Sequence, residues 1–243
     1  MTDRVALVTN VTDYAGAPAV AALIAQGCRV LGHAPSFAEP DRRAEAETAT
    51  PGLTAAAAQT PEELVAEALA RFGRLDILIS NDTHPATRTR IEEAAAEDYR
   101  AALEALMVTP FRLASAATRV MKAQKAGRMV FITSALPLHP YAGFAIYASA
   151  RAGAACLAQT LARELGPFGI PVNAIAPNFL YSETYYPKAL WQDDPNYVKR
   201  LKELVPMQRL GRPEEIGALI GFLASGASDF VTGQIIPFTG GWP

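Results

Sequence analysis

The stretch MVFITSALPLHPYAGFAIYASAR, residues 129–151, joins a strand pattern to a helix pattern through a short loop. Residues 129–133 form an unbroken run of apolar and β-branched side chains, the pattern of a strand buried on both faces. Ser134 closes that run. Tyr147 follows thirteen positions later and Arg151 four after that, inside an alanine-rich segment that predicts a helix ending near Gly166. The i, i+4 spacing puts Tyr147 and Arg151 on one helical face. A phenol beside a fixed positive charge loses its proton more easily, because the charge favours phenolate. A nearby serine hydroxyl can hold a substrate oxygen against it. The stretch therefore reads as a proton-transfer site at the carboxyl end of a buried strand.

Working outward, the same alternation recurs. Strands are predicted at residues 5–9, 28–32, 53–57 and 75–79 before it, and at 172–176 and 234–238 after it. Helices are predicted at residues 16–26, around 42–48, 61–72, 92–124 with a bend near Pro110, 196–204 and 213–224. Thr60-Pro61-Glu62-Glu63 is a strong helix start: a capping threonine, proline at the first position and an acid three residues after the cap. Residues 181–206, aromatic and proline-bearing, read as an irregular lid over the sheet. Continuous apolar strands alternating with helices predict an α/β fold, a single doubly wound parallel sheet of Rossmann type with helices on both faces. No repeat or linker divides residues 1–243, so one domain is expected. Ligands in such folds bind beyond the carboxyl ends of the strands. Residues 10–14, 80–85, Ser134 and 177–180 should therefore meet in one cleft.

The bulk numbers exclude several classes. A formal net charge of −2 leaves no electrostatic footprint for nucleic acid. No apolar run is long enough to span a membrane, and the first residues lack a signal-peptide pattern; a cytoplasmic location is expected. The sequence ends at Trp242-Pro243, so no C-terminal extension reaching a neighbouring active site is expected. Cys28 and Cys156 lie in apolar surroundings and read as buried free thiols. His33, His84 and His139 lack metal-ligand spacing, so no metal is expected.

Over its whole length the chain resembles the short-chain dehydrogenase/reductase family. The matching pieces are Thr9 and Gly16 around the first turn, Ser80-Asn81-Asp82, the Ser134 and Tyr147 pair, Pro177, and Gln234 with Gly240-Gly241. Several positions depart from that family. Where it has glycines that let backbone approach a dinucleotide pyrophosphate, this chain has Asn10 and Tyr14. The second strand ends Leu31-Gly32-His33, without an acid for an adenosine ribose. Arg151 stands at the family's catalytic lysine, and Leu106 at the asparagine of its long fourth helix. These departures form a pattern: Thr9, Tyr14 and Gly16 with Ser134, Tyr147 and Arg151 look like the halohydrin (haloalcohol) dehalogenases, which share the fold and use no nucleotide.

That resemblance implies a carbon–halide lyase that turns vicinal haloalcohols into epoxides with release of halide and a proton. It also implies the reverse opening of epoxides by halide, azide, cyanide or nitrite. It makes Tyr147 the general base, Arg151 its charged partner, Ser134 the holder of the substrate oxygen, and Asp82 a supporting group that orients Arg151 or carries the proton onward. It places the halide against Tyr14, Pro177, Asn178, Phe179 and Leu180, with N–H groups of Phe179 and Leu180 and the Asn178 amide as donors. The substrate pocket would be lined by Pro85, Leu136, Pro137, Phe144, Tyr185, Tyr186 and Trp191. No cofactor is implied, and a homotetramer is, through the alanine-rich faces at residues 94–105 and 145–158. The competing reading is an NAD(P)-dependent short-chain reductase with an atypical cofactor turn.

Overall fold

The computed structural model describes residues 4–192 and 194–242. Pro243 of the expected terminus lies outside them. Seven parallel strands form one sheet in the order β3-β2-β1-β4-β5-β6-β7. They are β1 (Val5–Val8), β2 (Arg29–Gly32), β3 (Leu53–Ala55), β4 (Ile77–Asn81), β5 (Arg128–Ile132), β6 (Val172–Pro177) and β7 (Ile235–Phe238). The helices between them are α1 (Gly16–Ala25), α2 (Pro40–Ala49), α3 (Pro61–Phe72), α4 (Ala96–Leu103), α5 (Thr109–Gln124), α6 (Ala145–Leu165), α7 (Lys188–Gln192), α8 (Pro195–Leu204) and α9 (Pro213–Leu223).

The period-2 alternation of the strands builds two cores. Ala6, Val8, Ile77, Ile79, Val130 and Ile132 face one way, against Ala19, Val20 and Leu23 of α1 and Ile216, Ile220 and Leu223 of α9. Leu7, Leu78, Met129 and Phe131 face the other way, against Leu64, Val65 and Ala68 of α3, Leu113 and Ala117 of α5 and Ala158 of α6. Each fully buried Val, Leu, Ile, Met or Phe among them contributes roughly 1.5–3 kcal/mol. The strand order reverses between β1 and β4, and the crevice at that switch point is where the loops after β1, β4, β5 and β6 gather.

Several features differ from the sequence reading. β4 runs two residues later than predicted, because the polar Ser80 and Asn81 still pair with Phe131 and Ile132 of β5. The segment before Ala96 is not helical, and the long helix carries a π turn at Glu104–Val108 immediately before α5. Pro110 lacks the N–H that would bond back one turn to Leu106, and the wider π turn absorbs that loss. The Thr60 hydroxyl does not cap α3; it donates to the Glu63 carboxylate at 2.7 Å. Within the lid, α7 is an additional short helix, while α8 starts where Asp194 accepts the Asn196 N–H at 2.9 Å. Cys28 is buried as expected, but Cys156 is exposed on α6.

Candidate active site

Ser134 sits just beyond β5, half-buried, and its hydroxyl oxygen accepts the Leu136 N–H at 3.1 Å. This local turn fixes the oxygen and leaves its proton free to donate. Tyr147 and Arg151 occupy the buried face of α6, with Arg151 only 1% exposed. The Arg151 guanidinium carbon lies 5.1 Å from the Tyr147 ring centroid. Its terminal nitrogens donate to the main-chain carbonyls of Ile132, at 3.1 Å, and Asp82, at 2.9 Å. Burial works to lower its pKa, but the phenols of Tyr147 and Tyr185 outweigh burial and hold it above the ordinary range. Leu106, Leu136 and Ala150 pack around the Tyr147 ring.

Asp82 is placed differently from the sequence reading. It orients Arg151 through its main-chain carbonyl, not its carboxylate. The carboxylate accepts the Ser80 hydroxyl at 2.5 Å. Burial pushes its pKa up to about 6, against the opposing pull of the Ser80 hydrogen bond and the Arg151 charge.

The loop after β1 carries two non-glycine residues in the left-handed region, Asn10 at φ +48° and Tyr14 at φ +46°. Asparagine tolerates that conformation, and a tyrosine there is strained. Neighbouring contacts hold both. Asn10 Nδ2 donates to the Asn81 carbonyl at 2.8 Å, and Asn81 Nδ2 returns bonds to the carbonyls of Asn10 and Asp13, both at 3.0 Å. Gly16 is required by close approach: a Cβ there would lie 2.3 Å from the Asn10 carbonyl oxygen. Asp13 was not singled out from sequence. Its carboxylate accepts the Tyr14 N–H at 2.8 Å, the Thr83 hydroxyl at 3.0 Å and the Thr184 hydroxyl, so it ties the first loop to the β4 loop and the lid.

The turn after β6 differs from its expected donor arrangement. Phe179 has φ +55°, and its N–H donates to Asn178 Oδ1 at 3.0 Å. The same oxygen accepts the Tyr186 hydroxyl at 2.6 Å. Asn178 thus braces the turn and takes up the Phe179 N–H that was expected to face an anion. Phe179 is packed between Tyr186, with ring centroids 5.7 Å apart, and Trp242, at 5.5 Å. Leu180 is buried in the main core and does not reach the cleft.

A cavity of about 730 Å³ brings together Tyr14, Ser134, Leu136, Phe144, Tyr147, Pro177, Asn178, Phe179, Tyr185 and Tyr186. Pro85, Pro137 and Trp191 are not among the described residues lining it. Pro85 is exposed, Pro137 sits in the turn Leu136–Leu138, and Trp191 packs on Tyr181 at 5.5 Å. The walls missed from sequence are Ala86, Arg88, Tyr141, Ala142, Tyr197 and Leu204. Tyr197 and Leu204 share α8, whose face could have been read from its spacing. Arg88 lies in a loop with no signal. Tyr185 packs edge-on to Tyr14 at 4.9 Å, and its hydroxyl donates to the His84 carbonyl at 3.0 Å. Burial pushes the phenols of Tyr14, Tyr185 and Tyr186 above their ordinary pKa, so all three stay neutral O–H groups.

A family model described as enoyl-(acyl carrier protein) reductase matches residues 16–243. Among curated proteins, a 3-oxoacyl-[acyl-carrier-protein] reductase of Synechocystis sp. is 30% identical, over 99% of this chain and 97% of its own length. The chain belongs to the short-chain dehydrogenase/reductase family. An uncharacterized oxidoreductase of Mycobacterium tuberculosis is 34% identical over 99% of this chain and 91% of its own. Among solved structures of the same fold, a halohydrin dehalogenase, HheC, bound to ethyl (2S)-oxiran-2-ylacetate is 41% identical. It has a TM-score of 0.96, over 98% of this chain and 97% of its own. A structure titled "Dehalogenation enzyme" has the same identity and TM-score.

Dehydrogenases of the short-chain family take a nicotinamide dinucleotide, and the residues present here do not fit one. The Tyr14 N–H, in the turn that would cradle a pyrophosphate, is taken by a carboxylate, which would also repel the phosphates. The Tyr14 ring stands in the same cavity as Ser134 and Tyr147. Arg151, at the position of the family's lysine, directs its terminal nitrogens at protein carbonyls.

Proposed function

We propose that this protein is a halohydrin dehalogenase, which converts vicinal haloalcohols to epoxides without a cofactor and runs the reverse ring opening with small anions. The observation that carries the reading is the setting of Arg151. Its terminal nitrogens are engaged by Ile132 and Asp82, and its charge is buried against the Tyr147 ring. A cation so placed serves a phenolate rather than a cofactor. The solved dehalogenases at 41% identity support the same reading.

The substrate hydroxyl lies between Ser134 and Tyr147. The Ser134 O–H donates to the substrate oxygen and orients it. The Tyr147 phenolate takes the hydroxyl proton as general base, with Arg151 offsetting the charge. The oxygen then attacks the adjacent carbon, the C–O bond forms, and the C–halogen bond breaks with its electron pair leaving on the halide. The departing anion meets Tyr14 and the turn Pro177-Asn178-Phe179, where neutral phenols and aromatic edges suit a large, weakly hydrated ion. In the ring-opening direction Tyr147 returns the proton. Asp82, whose main-chain carbonyl accepts from Arg151 and whose buried carboxyl has its pKa raised to about 6, would pass the proton on near neutral pH.

We also infer a tetrameric assembly through α4 and α6. The outer surface there exposes Ile91, 72% accessible, beside Tyr99, Ala145 and Ile146, all lining one shallow groove. Among the described residues no helix is long and apolar enough to cross a membrane.

The reductase relatives favour a second reading, reduction of a carbonyl by NADH or NADPH. Incubation with a terminal epoxide and azide, without nucleotide, separates the two. Azidoalcohol formation is expected. Turnover seen only with added NADPH and a ketone would favour the reductase.

A further inference from the structure

Arg88 is the one charged side chain among the described residues lining the cavity, and no carboxylate lines it. It stands at the open side, exposed to solvent, on the loop between β4 and α4. Its stem is held in place. The Nε donates to the Ala142 carbonyl at 3.2 Å, and the side chain runs over Gly143, at φ +90°, where a Cβ would come within 2.6 Å of Arg88 Cγ. The Thr89 N–H bonds the Gly143 carbonyl at 2.8 Å and ties the two segments together. No described carboxylate lies in ion-pair range of Arg88; the surface arginines Arg42, Arg71, Arg100, Arg112 and Arg209 each have one. The terminal nitrogens of Arg88 are thus presented at the rim of an apolar, aromatic cavity with no protein anion to satisfy them. A guanidinium offers a planar pair of donors that matches a carboxylate.

We propose that Arg88 selects haloalcohols and epoxides whose far end carries a carboxylate. This rests on the dehalogenase reading of the cavity. The hydroxyl proton passes to Tyr147, the C–O bond closes and the halide leaves with the bonding pair, while the carboxylate stays on Arg88 unchanged throughout. Because the contact is the same in the ground state and the transition state, it acts on KM and leaves kcat alone. Being exposed, it weakens as salt rises.

The test compares 4-chloro-3-hydroxybutanoate and its homologues, lengthened by up to three methylenes, with their methyl esters. Wild type and Arg88→Gln are assayed for halide release. Wild type is expected to favour the acid over the ester by roughly five- to tenfold in kcat/KM at one chain length or more. The preference should reside in KM and shrink at high ionic strength. Arg88→Gln should lose it, its acid-to-ester ratio falling to about one at every chain length. An acid-to-ester ratio equal in the two proteins at every length overturns the assignment. So does a ratio left intact while the KM for azide on a neutral epoxide rises, which would make Arg88 a guide for the small anion. Failure of both proteins to release halide from every ester and acid would bring down the dehalogenase reading itself.

Discussion

Two regions meet at the cleft and have been built on different terms. On one side, the loop after β5 and helix α6 present a hydroxyl, a phenol and a cation, each fixed by ordinary local structure: a serine turn, a helical face, two carbonyl acceptors. On the other side, the loop after β1 follows a glycine-like path without the glycines. Asn10 and Tyr14 both lie at positive φ, which asparagine tolerates and which costs a tyrosine about 1–2 kcal/mol. On the proposed reading the first side carries the proton transfer. The second would decide what that chemistry is applied to, because a tyrosine ring and an aspartate occupy the turn. Backbone path and side-chain chemistry are separable: the turn keeps its left-handed path with side chains on it, held by the Asn81 amide donating to the carbonyls of Asn10 and Asp13 and by the Asp13 carboxylate accepting the Tyr14 N–H.

The largest effect should come from removing the base. Tyr147→Phe is expected to lower halide release by about a thousandfold or more with Tm unchanged, since general-base catalysis supplies about 10²–10⁴-fold and no other phenol is paired with Arg151 in the same way. Retained turnover would move the base to another group. Arg151→Lys comes next. A lysine lacks the planar fork that bonds both carbonyls while its charge lies against the phenol ring, so activity at neutral pH should fall by about tenfold or more and the pH–rate profile should move upward. An unmoved profile would mean that the charge does not act on Tyr147.

Asp82→Asn sharpens the comparison through stability. Burial raises the Asp82 pKa from 3.8 to about 6, so the folded state binds the proton more tightly than the unfolded chain. The stability of the native protein therefore falls as pH rises from about 4 to about 6, and the full cost is present above that. The substitution should stabilise by about 3 kcal/mol above pH 6 and by nothing below about pH 4, measured by denaturant unfolding. A gain independent of pH would show that the carboxylate is not the source. The smallest effect belongs to the first loop. Tyr14→Gly relieves the strained backbone but removes the aromatic wall, so the inhibition constant for halide should rise several-fold with kcat changed less. The double variant Asn10→Gly, Tyr14→Gly should still not quench NADH fluorescence on titration, because Asp13 remains. Quenching would show that the two side chains alone exclude the nucleotide.

Most of the fold was legible because apolar continuity and helix starts are local properties. All seven strands follow from runs such as Val5-Ala6-Leu7-Val8 and from the run that ends at Ser134. Where tertiary pairing overrode local character, as at Ser80 and Asn81, the boundary moved. The π turn before Pro110 was foreshadowed only as a bend. At the candidate site, the nearness of Tyr147 and Arg151 and the opening of Ser134 and Tyr147 onto one cavity were legible from spacing on two elements. The contributions of Asp13, Arg88 and Trp242 were not, because each acts across sixty or more residues or from a loop without periodicity. The Asn178 side chain illustrates the same limit. Its residue type suggested an anion donor, yet the tertiary contact with Tyr186 makes its oxygen a brace for the turn. Trp191 and Pro137 were aromatic and proline signals that packing placed elsewhere.

The central claim is that the phenol and guanidinium of α6 displace halide with no nucleotide present. Purified protein, freed of nucleotide by charcoal treatment, is mixed with a small vicinal bromoalcohol, and bromide and acid are followed together. Bromide and protons released one for one, with epoxide formed and no change on adding NADH or NADPH, is the predicted result. No bromide release without nucleotide, or ketone reduction with consumption of NADPH, would contradict it.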